Sequence, residues 1–418
     1  MASSFHRVLF LVGLCAPVYC IPPSSTPSKR PPKPPSMKGT PAYQVSRSNT
    51  NFAFHLYQRL VLQNPGRNIF FSPVSVSTSL AMLSLGARSA TKSQILQSLN
   101  FSLTHTAESV IHLGFQHLVH SLNVPSKDRS LRVGSALFVR KGLALQADFL
   151  DRSKRLYEAK VFSTDFSSTF AAQEKINSYV AKETSGKVTD IIQDLDPLTA
   201  MVLVNHIFFK AKWTKPFNPA DTIKGFSFLV GQGTTVHVPM MHQTEEFAFG
   251  VDPELDCSVL QMDYGPDTMA LFVLPSKGKM GQLEQALSPR TLEKWSHSLQ
   301  KRRIEVLIPR FSMSASYNLE TILPKMGIHD AFDRNADFSG ITKSDSLQVS
   351  KAAHKAVLAV SEEGTEAVAA TATNIILRSK DGPSSPIICF NSTFLVMIVD
   401  KHIESMLFLG KVQNPTQV

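Results

Sequence analysis

The segment SEEGTEAVAATATNIILRSKDGPSS, residues 361–385, carries the side chains whose chemistry stands out most in this sequence. It lies between two strand-like runs, HKAVLAV and FLVMIVD. Its middle is rich in Ala, Thr, Val and Ile, whereas disordered loops favour Pro, Gly, Ser and charged residues. Its basic side chains are Arg378 and Lys380, and by residue type alone Arg378 is only an exposed loop arginine. A loop this long inside a compact domain is usually functional or disordered, so strand-like sequence in this place predicts a functional segment.

No motif for a catalytic reaction of the chain's own is present. The sequence contains no HExxH, P-loop or GxSxG pattern, which argues against a zinc protease, a P-loop nucleotide enzyme and a serine hydrolase. His354 stands alone in an apolar run, as a hydrogen-bonded core histidine does. We expect a protein that is not an enzyme and that uses no cofactor and no metal.

The beginning of the chain has the pattern of a cleaved secretory signal at residues 1–20, although the cleaved bond is open. His6 and Arg7 precede an apolar run over residues 8–18, which is too short to cross a bilayer. No later segment has about 18 uncharged apolar residues, so we expect a secreted protein without a membrane span.

Residues 21–47, which begin with IPPSSTPSKRPPKPPSMKGTP, are rich in Pro, Ser and Lys and predict a poorly ordered arm.

Of the four cysteines, Cys15 and Cys20 would leave with the signal, and Cys257 and Cys389 would form one disulfide or stay free. The formal net charge of +10 permits a polyanionic partner without proving one.

The elements that must position the loop are predicted from residue 48 onward. Phe52, Leu56 and Leu60 have helical spacing, with Thr50 or Asn51 as the cap. Ser72 and Pro73 begin a second, buried helix that ends at Gly86. Further helices are predicted at 107–122, 173–185 and 289–300. Strands are predicted at 132–139, 200–213, 269–274, 304–308, 355–360, 394–399 and 406–412. Helices cluster early and strands late, so the fold class is α+β.

Four motifs identify the chain as a member of the serpin family: NIFFSPVSVSTSLAMLSLGA, VNHIFFKAKWTKPF, HKAVLAVSEEGTEA and FNSTFLVMIVDKHIESMLFLGKVQNP. The chain most resembles the secreted clade that contains antitrypsin and antichymotrypsin. The resemblance covers residues 48–418 and implies three β-sheets, about nine helices, a monomer, and an exposed reactive-centre loop at 362–386. It implies neither a nucleic acid nor a membrane as partner.

The resemblance implies suicide inhibition of a trypsin-like serine protease through a covalent acyl complex. Family spacing places the cut between Arg378 and Ser379, after which the loop inserts as a strand in the main sheet. An inserted strand alternates its side chains, so one face must be small and uncharged. Gly364 would provide backbone freedom at the pivot. The hinge residues are Gly364, Thr365, Ala367, Ala369 and Thr371. The alternative is a non-inhibitory serpin that carries a ligand or hormone.

The resemblance also implies machinery beneath the loop. The main sheet would open at Ser72, Ser75, Asn205 and His354. At the loop base, Trp213 would lie beneath the loop, and Glu362 would pair with Arg310, where the family commonly has Lys.

Two further kinds of site are predicted. Arg290, Lys294, His297 and Lys301 have the spacing of one helix face and precede Arg302 and Arg303. Related serpins can bind heparin at this helix, so the resemblance implies a heparin or other glycosaminoglycan site, with a solvated basic helix as the alternative. Asn100 and Asn391 begin glycosylation sequons. Asn391 adjoins an apolar strand and lacks the family's usual proline nearby, which argues against its use.

Overall fold

A computed structural model describes residues 40–126, 129–231, 233–343, 347–365 and 385–417. These residues belong to one compact unit, Met37–Val418. The predicted signal and residues 21–39 of the predicted arm lie outside the described residues. No helix in the described ranges is long and apolar enough to cross a membrane.

The described residues form eight α-helices, one fewer than the roughly nine expected. They are α1 (Pro41–Gln63), α2 (Pro73–Gly86), α3 (Ser89–Ser98), α4 (Glu108–Asn123), α5 (Ala147–Tyr157), α6 (Thr169–Glu183), α7 (Met280–Ala286) and α8 (Pro289–Ser298). Short 3-10 helices are Pro219–Asp221, Leu319–Thr321, Leu323–Met326 and Asp330–Phe332.

Helix α1 begins earlier than the sequence pattern predicts. Thr40 caps it by accepting a hydrogen bond from the Tyr43 amide, and Pro41 occupies the first turn. Ala42 and Val45 are buried. Residues 41–47 of the predicted arm are therefore helical, because a capped first turn and apolar burial outweigh the polar composition of the segment.

Helix α2 is buried along its whole length. The Ser72 hydroxyl caps it by accepting from the Ser75 amide, and Pro73 follows in the first turn, as predicted. Small and apolar side chains on every face allow the helix to pass through the core behind the main sheet.

The main sheet has six strands in the order β10-β11-β12-β4-β2-β3. Their bounds are β2 (Arg129–Arg140), β3 (Lys160–Thr164), β4 (Met201–Lys212), β10 (Phe311–Asn318), β11 (Lys351–Ser361) and β12 (Gly364–Thr365). Strand β4 is buried along nearly all of its length, as its apolar run predicts for a central strand.

The second sheet has nine strands. They are β1 (Ile69–Phe71), β5 (Ile223–Val230), β6 (Thr234–Asp252), β7 (Cys257–Tyr264), β8 (Thr268–Pro275), β9 (Gln300–Pro309), β13 (Ile387–Cys389), β14 (Phe394–Asp400) and β15 (Ser405–Val412). The long strand β6 pairs with β5 near its start and with β7 at its end, so it joins two portions. Counted separately, these portions and the main sheet correspond to the three sheets expected. Strands β14 and β15 form an antiparallel hairpin.

Candidate functional site: the loop base and the open part of the main sheet

Strands β11 and β4 of the main sheet pair directly at one end and are held apart by β12 at the other, which leaves a gap between these two regions. The two strands pair in parallel from Lys351 opposite Val202 to Lys355 opposite His206. Within the described strands, this direct pairing goes no further. At the far end β12 lies between them, antiparallel to both, with Thr365 opposite Val360 and Ala211. The backbone edges between these two points face a gap as wide as one strand.

A surface cleft of about 1200 Å³ occupies this gap. Val357 and Ala359 of β11 line one side, and Phe208 and Lys210 of β4 line the other, with Thr365 at its end. An open gap between two strand edges can accept an additional strand through main-chain hydrogen bonds.

Gly364 takes the position where the chain turns from β11 into β12. Its φ is +144°, a conformation that side chains disfavour. A Cβ atom there would lie 2.2 Å from the Ala211 carbonyl oxygen and 2.7 Å from the Lys212 Cα. Only glycine therefore lets β12 approach β4 this closely, which is a steric requirement in addition to the freedom expected from the sequence.

Trp213 anchors the backbone at the base of the loop. Its indole N–H donates to the Ser361 carbonyl at 2.9 Å, and its amide donates to the Glu363 carbonyl at 2.9 Å. The ring stacks on Tyr264, with 4.0 Å between centroids. Tyr264 in turn shares a 2.8 Å hydrogen bond with the Thr365 hydroxyl. Sequence reasoning missed Tyr264, because the register of β7 against the loop leaves no local signal.

Glu362 lies almost completely buried beside these residues, with 2% exposure. Its Oε1 accepts from the Thr222 hydroxyl at 2.8 Å and lies 3.7 Å from the Arg310 guanidinium. Its backbone carbonyl accepts from the Phe217 amide at 2.8 Å. The structure thus brings Glu362 and Arg310 together, with Thr222 as a partner that the sequence did not indicate.

The four residues predicted at the opening point lie together where β11 and β4 pair directly, next to the gap. Asn205 and His354 are directly opposite each other in the β4–β11 register. The Ser72 amide donates to His354 Nε2 at 3.0 Å, and the Ser75 hydroxyl donates to the His206 carbonyl at 3.4 Å. These hydrogen bonds join α2 to both strands that border the gap.

Several polar atoms in this cluster lack a partner among the described residues. Both amide atoms of Asn205 and the Nδ1 of His354 are buried without a hydrogen bond. Burial lowers the pKa of His354 to about 3, so its ring is neutral, and Nδ1 carries the proton because Nε2 accepts. Unsatisfied buried donors and acceptors cost free energy. A new neighbouring group that forms hydrogen bonds with these atoms would offset part of that cost.

The predicted reactive bond between Arg378 and Ser379 lies outside the described residues. The same holds for the hinge residues Ala367, Ala369 and Thr371. Gly364 and Thr365 are the two hinge residues that the structure describes, and both are buried in the main sheet.

The comparisons with known proteins agree with this architecture. A family model described as Serpin (serine protease inhibitor) matches residues 47–415. The chain belongs to the serpin family.

This serpin is similar both to Serpin A9 and to thyroxine-binding globulin. Serpin A9 of Homo sapiens, also called centerin, is 72% identical over 417 residues, covering 100% of both chains. Thyroxine-binding globulin of Ovis aries is 49% identical over 418 residues, again covering 100% of both. A solved structure of thyroxine-binding globulin in complex with thyroxine has a TM-score of 0.85 at 50% identity, covering 90% of this chain and 100% of that one.

The basic segment of this serpin differs from the single helix face predicted. Helix α8 ends at Ser298, so Lys301, Arg302 and Arg303 lie on strand β9. Lys294 is ion-paired with Asp252 at 2.8 Å and with Glu254 at 2.6 Å. Arg290, His297 and the three β9 residues are exposed. The exposed basic residues are therefore divided between two elements, and Lys294 contributes little free charge.

The remaining predicted residues of the serpin are accessible to different degrees. Asn100 and Asn391 are both exposed, so burial does not obstruct either sequon. Cys257 and Cys389 are free. Burial raises the pKa of the Cys257 thiol to about 12 and that of Cys389 to about 11, so both are protonated at neutral pH.

Proposed function

We propose that this serpin is a secreted suicide inhibitor of trypsin-like serine proteases. The protease hydroxyl would attack the Arg378 carbonyl and release the amino group of Ser379, leaving an acyl-enzyme. Residues 366–374 would then enter the gap between β11 and β4 and carry the protease away before water completes the reaction.

The gap in the main sheet is the observation that carries this proposal. It is bordered by two strand edges, and β12 already lies between them as the first two residues of the entering segment. The residues after β12 are mostly small and include no proline up to Gly382. A strand with these side chains can be buried without a large desolvation penalty.

Insertion would release free energy only after the loop is cut. Before cleavage the loop is tethered by β12 at one end and by β13, which pairs with β9, at the other. Residues 366–374 extended as a strand span about 30 Å. If roughly ten net backbone hydrogen bonds form at ~1 kcal/mol each, insertion contributes on the order of 10 kcal/mol. That equals the stability of an ordinary domain, enough to make insertion irreversible.

The deciding experiment is incubation of the protein with trypsin, followed by denaturing electrophoresis and mass determination of the cleaved fragment. We expect a covalent complex that resists SDS and a cut after Arg378. Arg378→Leu should abolish the complex, whereas the matched variant Lys380→Leu should retain it. A complex that survives in Arg378→Leu and is lost in Lys380→Leu would place the bond after Lys380 instead.

A ligand carrier is the second candidate, and the similarity to thyroxine-binding globulin favours it. A carrier would form no covalent complex with trypsin. The thermal unfolding midpoint of the loop-cleaved protein separates the mechanisms further, because a chain that inserts its loop gains stability on cleavage. No complex together with no gain in stability would exclude the inhibitor and leave the carrier.

A further inference from the structure

The cleft between β11 and β4 places apolar side chains and cations next to each other. Phe208, Val357 and Ala359 line it with half-exposed apolar side chains. Lys210 and Lys212 also line it, and both are exposed. Because side chains alternate along a strand, Phe208 and the two lysines project to the same face of β4. A molecule on that face would therefore contact both kinds of side chain.

The lysines of the cleft are not balanced by carboxylates. Neither Lys210 nor Lys212 forms a side-chain ion pair or hydrogen bond among the described residues. Lys187 is a third lysine of the lining, whereas Glu363 is the only carboxylate among the lining residues that the structure describes. A cleft with charges of one sign concentrates ions of the opposite sign. The cleft therefore attracts anions.

Arg132 extends this positive region onto the neighbouring strand β2. It is exposed and lies directly opposite Phe208 in the β2–β4 register. The Cβ atoms of directly opposite residues are about 5 Å apart, so Arg132 flanks the same aromatic ring as Lys210 does. Arg129 lines the cleft too, but its ion pair with Asp400 compensates its charge.

We propose that the cleft binds an amphiphilic organic anion. The apolar body would lie against Phe208 and Val357, and a carboxylate, sulfate or sulfonate group would lie at Lys210 and Lys212. A purely apolar ligand would leave the lysines without a partner, and an inorganic anion would leave the apolar side chains uncovered. The cleft of about 1200 Å³ exceeds the roughly 300–1000 Å³ of most small-molecule sites, so an anion of that size class fits.

Occupation of the cleft regulates inhibition, and this consequence rests on the proposed function. The ligand lies in the gap between β11 and β4 that the cut loop would enter, so it must dissociate first. The delay gives water more time to hydrolyse the acyl-enzyme, and a larger share of the protein is released as cleaved inhibitor. By mass action, the ligand also stabilises the uncut protein.

Binding is tested with 8-anilinonaphthalene-1-sulfonate, an amphiphilic anion whose fluorescence reports binding, at low ionic strength, where charges are least screened. N-phenyl-1-naphthylamine has the same rings without the sulfonate and is the matched neutral probe. Lys210→Gln with Lys212→Gln should weaken sulfonate binding about tenfold and leave binding of the neutral probe unchanged. Lys224→Gln with Lys277→Gln removes two exposed lysines outside the cleft and should leave both unchanged.

Regulation is tested with the same two probes during reaction with trypsin. Saturating sulfonate should raise the ratio of cleaved inhibitor to covalent complex about threefold or more in the unaltered protein. The ratio should rise less in Lys210→Gln with Lys212→Gln, and the neutral probe should not change it. An unchanged ratio despite sulfonate binding would overturn the regulation.

The outcomes separate the site from the proposed function. Equal sulfonate affinity in the unaltered protein and both double variants would overturn the site while inhibition stands. A neutral probe that binds as tightly as the sulfonate would show an apolar cleft without preference for anions, which also overturns the proposal. If the unaltered protein forms no covalent complex with trypsin, the proposed function fails, and sulfonate binding that depends on Lys210 and Lys212 still establishes the anion site.

Discussion

Replacement of Glu362 by lysine tests whether the base of the loop depends on a buried carboxylate. The change removes the acceptor of the Thr222 hydroxyl and places an ammonium group where the carboxylate now lies 3.7 Å from Arg310. Breaking a buried ion pair costs about 3–5 kcal/mol. Arg310 is 42% exposed, so solvent screens it, and we expect the lower end, about 3 kcal/mol.

The neighbouring Glu363 supplies a matched control. Glu363→Lys makes the same change in charge one residue away, but its side chain is exposed. We expect a change within about 0.5 kcal/mol for this control. Urea unfolding followed by tryptophan fluorescence gives the midpoints, and native electrophoresis reports polymers. Destabilisation at the base of the loop should also make Glu362→Lys form more polymer than the control.

Equal shifts of the urea midpoint in the two variants would contradict this prediction. Equal shifts would mean that the overall charge change matters rather than the buried contacts of Glu362. A normal monomer yield and an unchanged urea midpoint for Glu362→Lys would show that the pairing of Glu362 with Arg310 does not stabilise the base of the loop.

Three further predictions concern the hinge, the pH dependence and the basic segment. Gly364→Ala should lower the free energy of unfolding by about 1–3 kcal/mol, because its backbone conformation and its approach to β4 exclude a Cβ, and an unchanged urea midpoint would contradict this. Burial lowers the pKa of His206 from 6.5 to about 4, so the unfolded chain binds the proton more readily than the folded one. The contribution of the neutral ring to the free energy of unfolding is therefore complete above pH 6.5, and about 3 kcal/mol of it is lost as the pH falls to 4. His206→Gln should flatten that pH dependence of unfolding, whereas the exposed control His120→Gln should retain it. Lys301→Glu with Arg302→Glu should weaken salt-dependent retention on heparin, and undiminished retention would exclude this glycosaminoglycan site.

The helices and strands that border the site could largely be predicted from local patterns. Ser72 as a cap followed by Pro73 predicts the start of α2, and the long apolar run of β4 predicts a central strand. The polar, Pro-rich composition of the arm predicts disorder where the cap at Thr40 and the proline beside it begin α1. Helical spacing of the basic residues continues to Lys301, past the point where the backbone becomes strand β9.

By itself the sequence determined the family and the uncharged alternation of the hinge, since these depend only on residue types and spacing along the chain. Arg378 as the cleavage residue stays a prediction from the family's spacing. The tertiary structure decided which two strands border the gap in the main sheet and which side chains meet at the base of the loop. Tyr264 and Thr222 lie far from the loop in sequence, and pairing between distant segments leaves no periodic signal in either one. The same holds for the unsatisfied polar atoms of Asn205 and His354, because only packing defines what a buried side chain can reach.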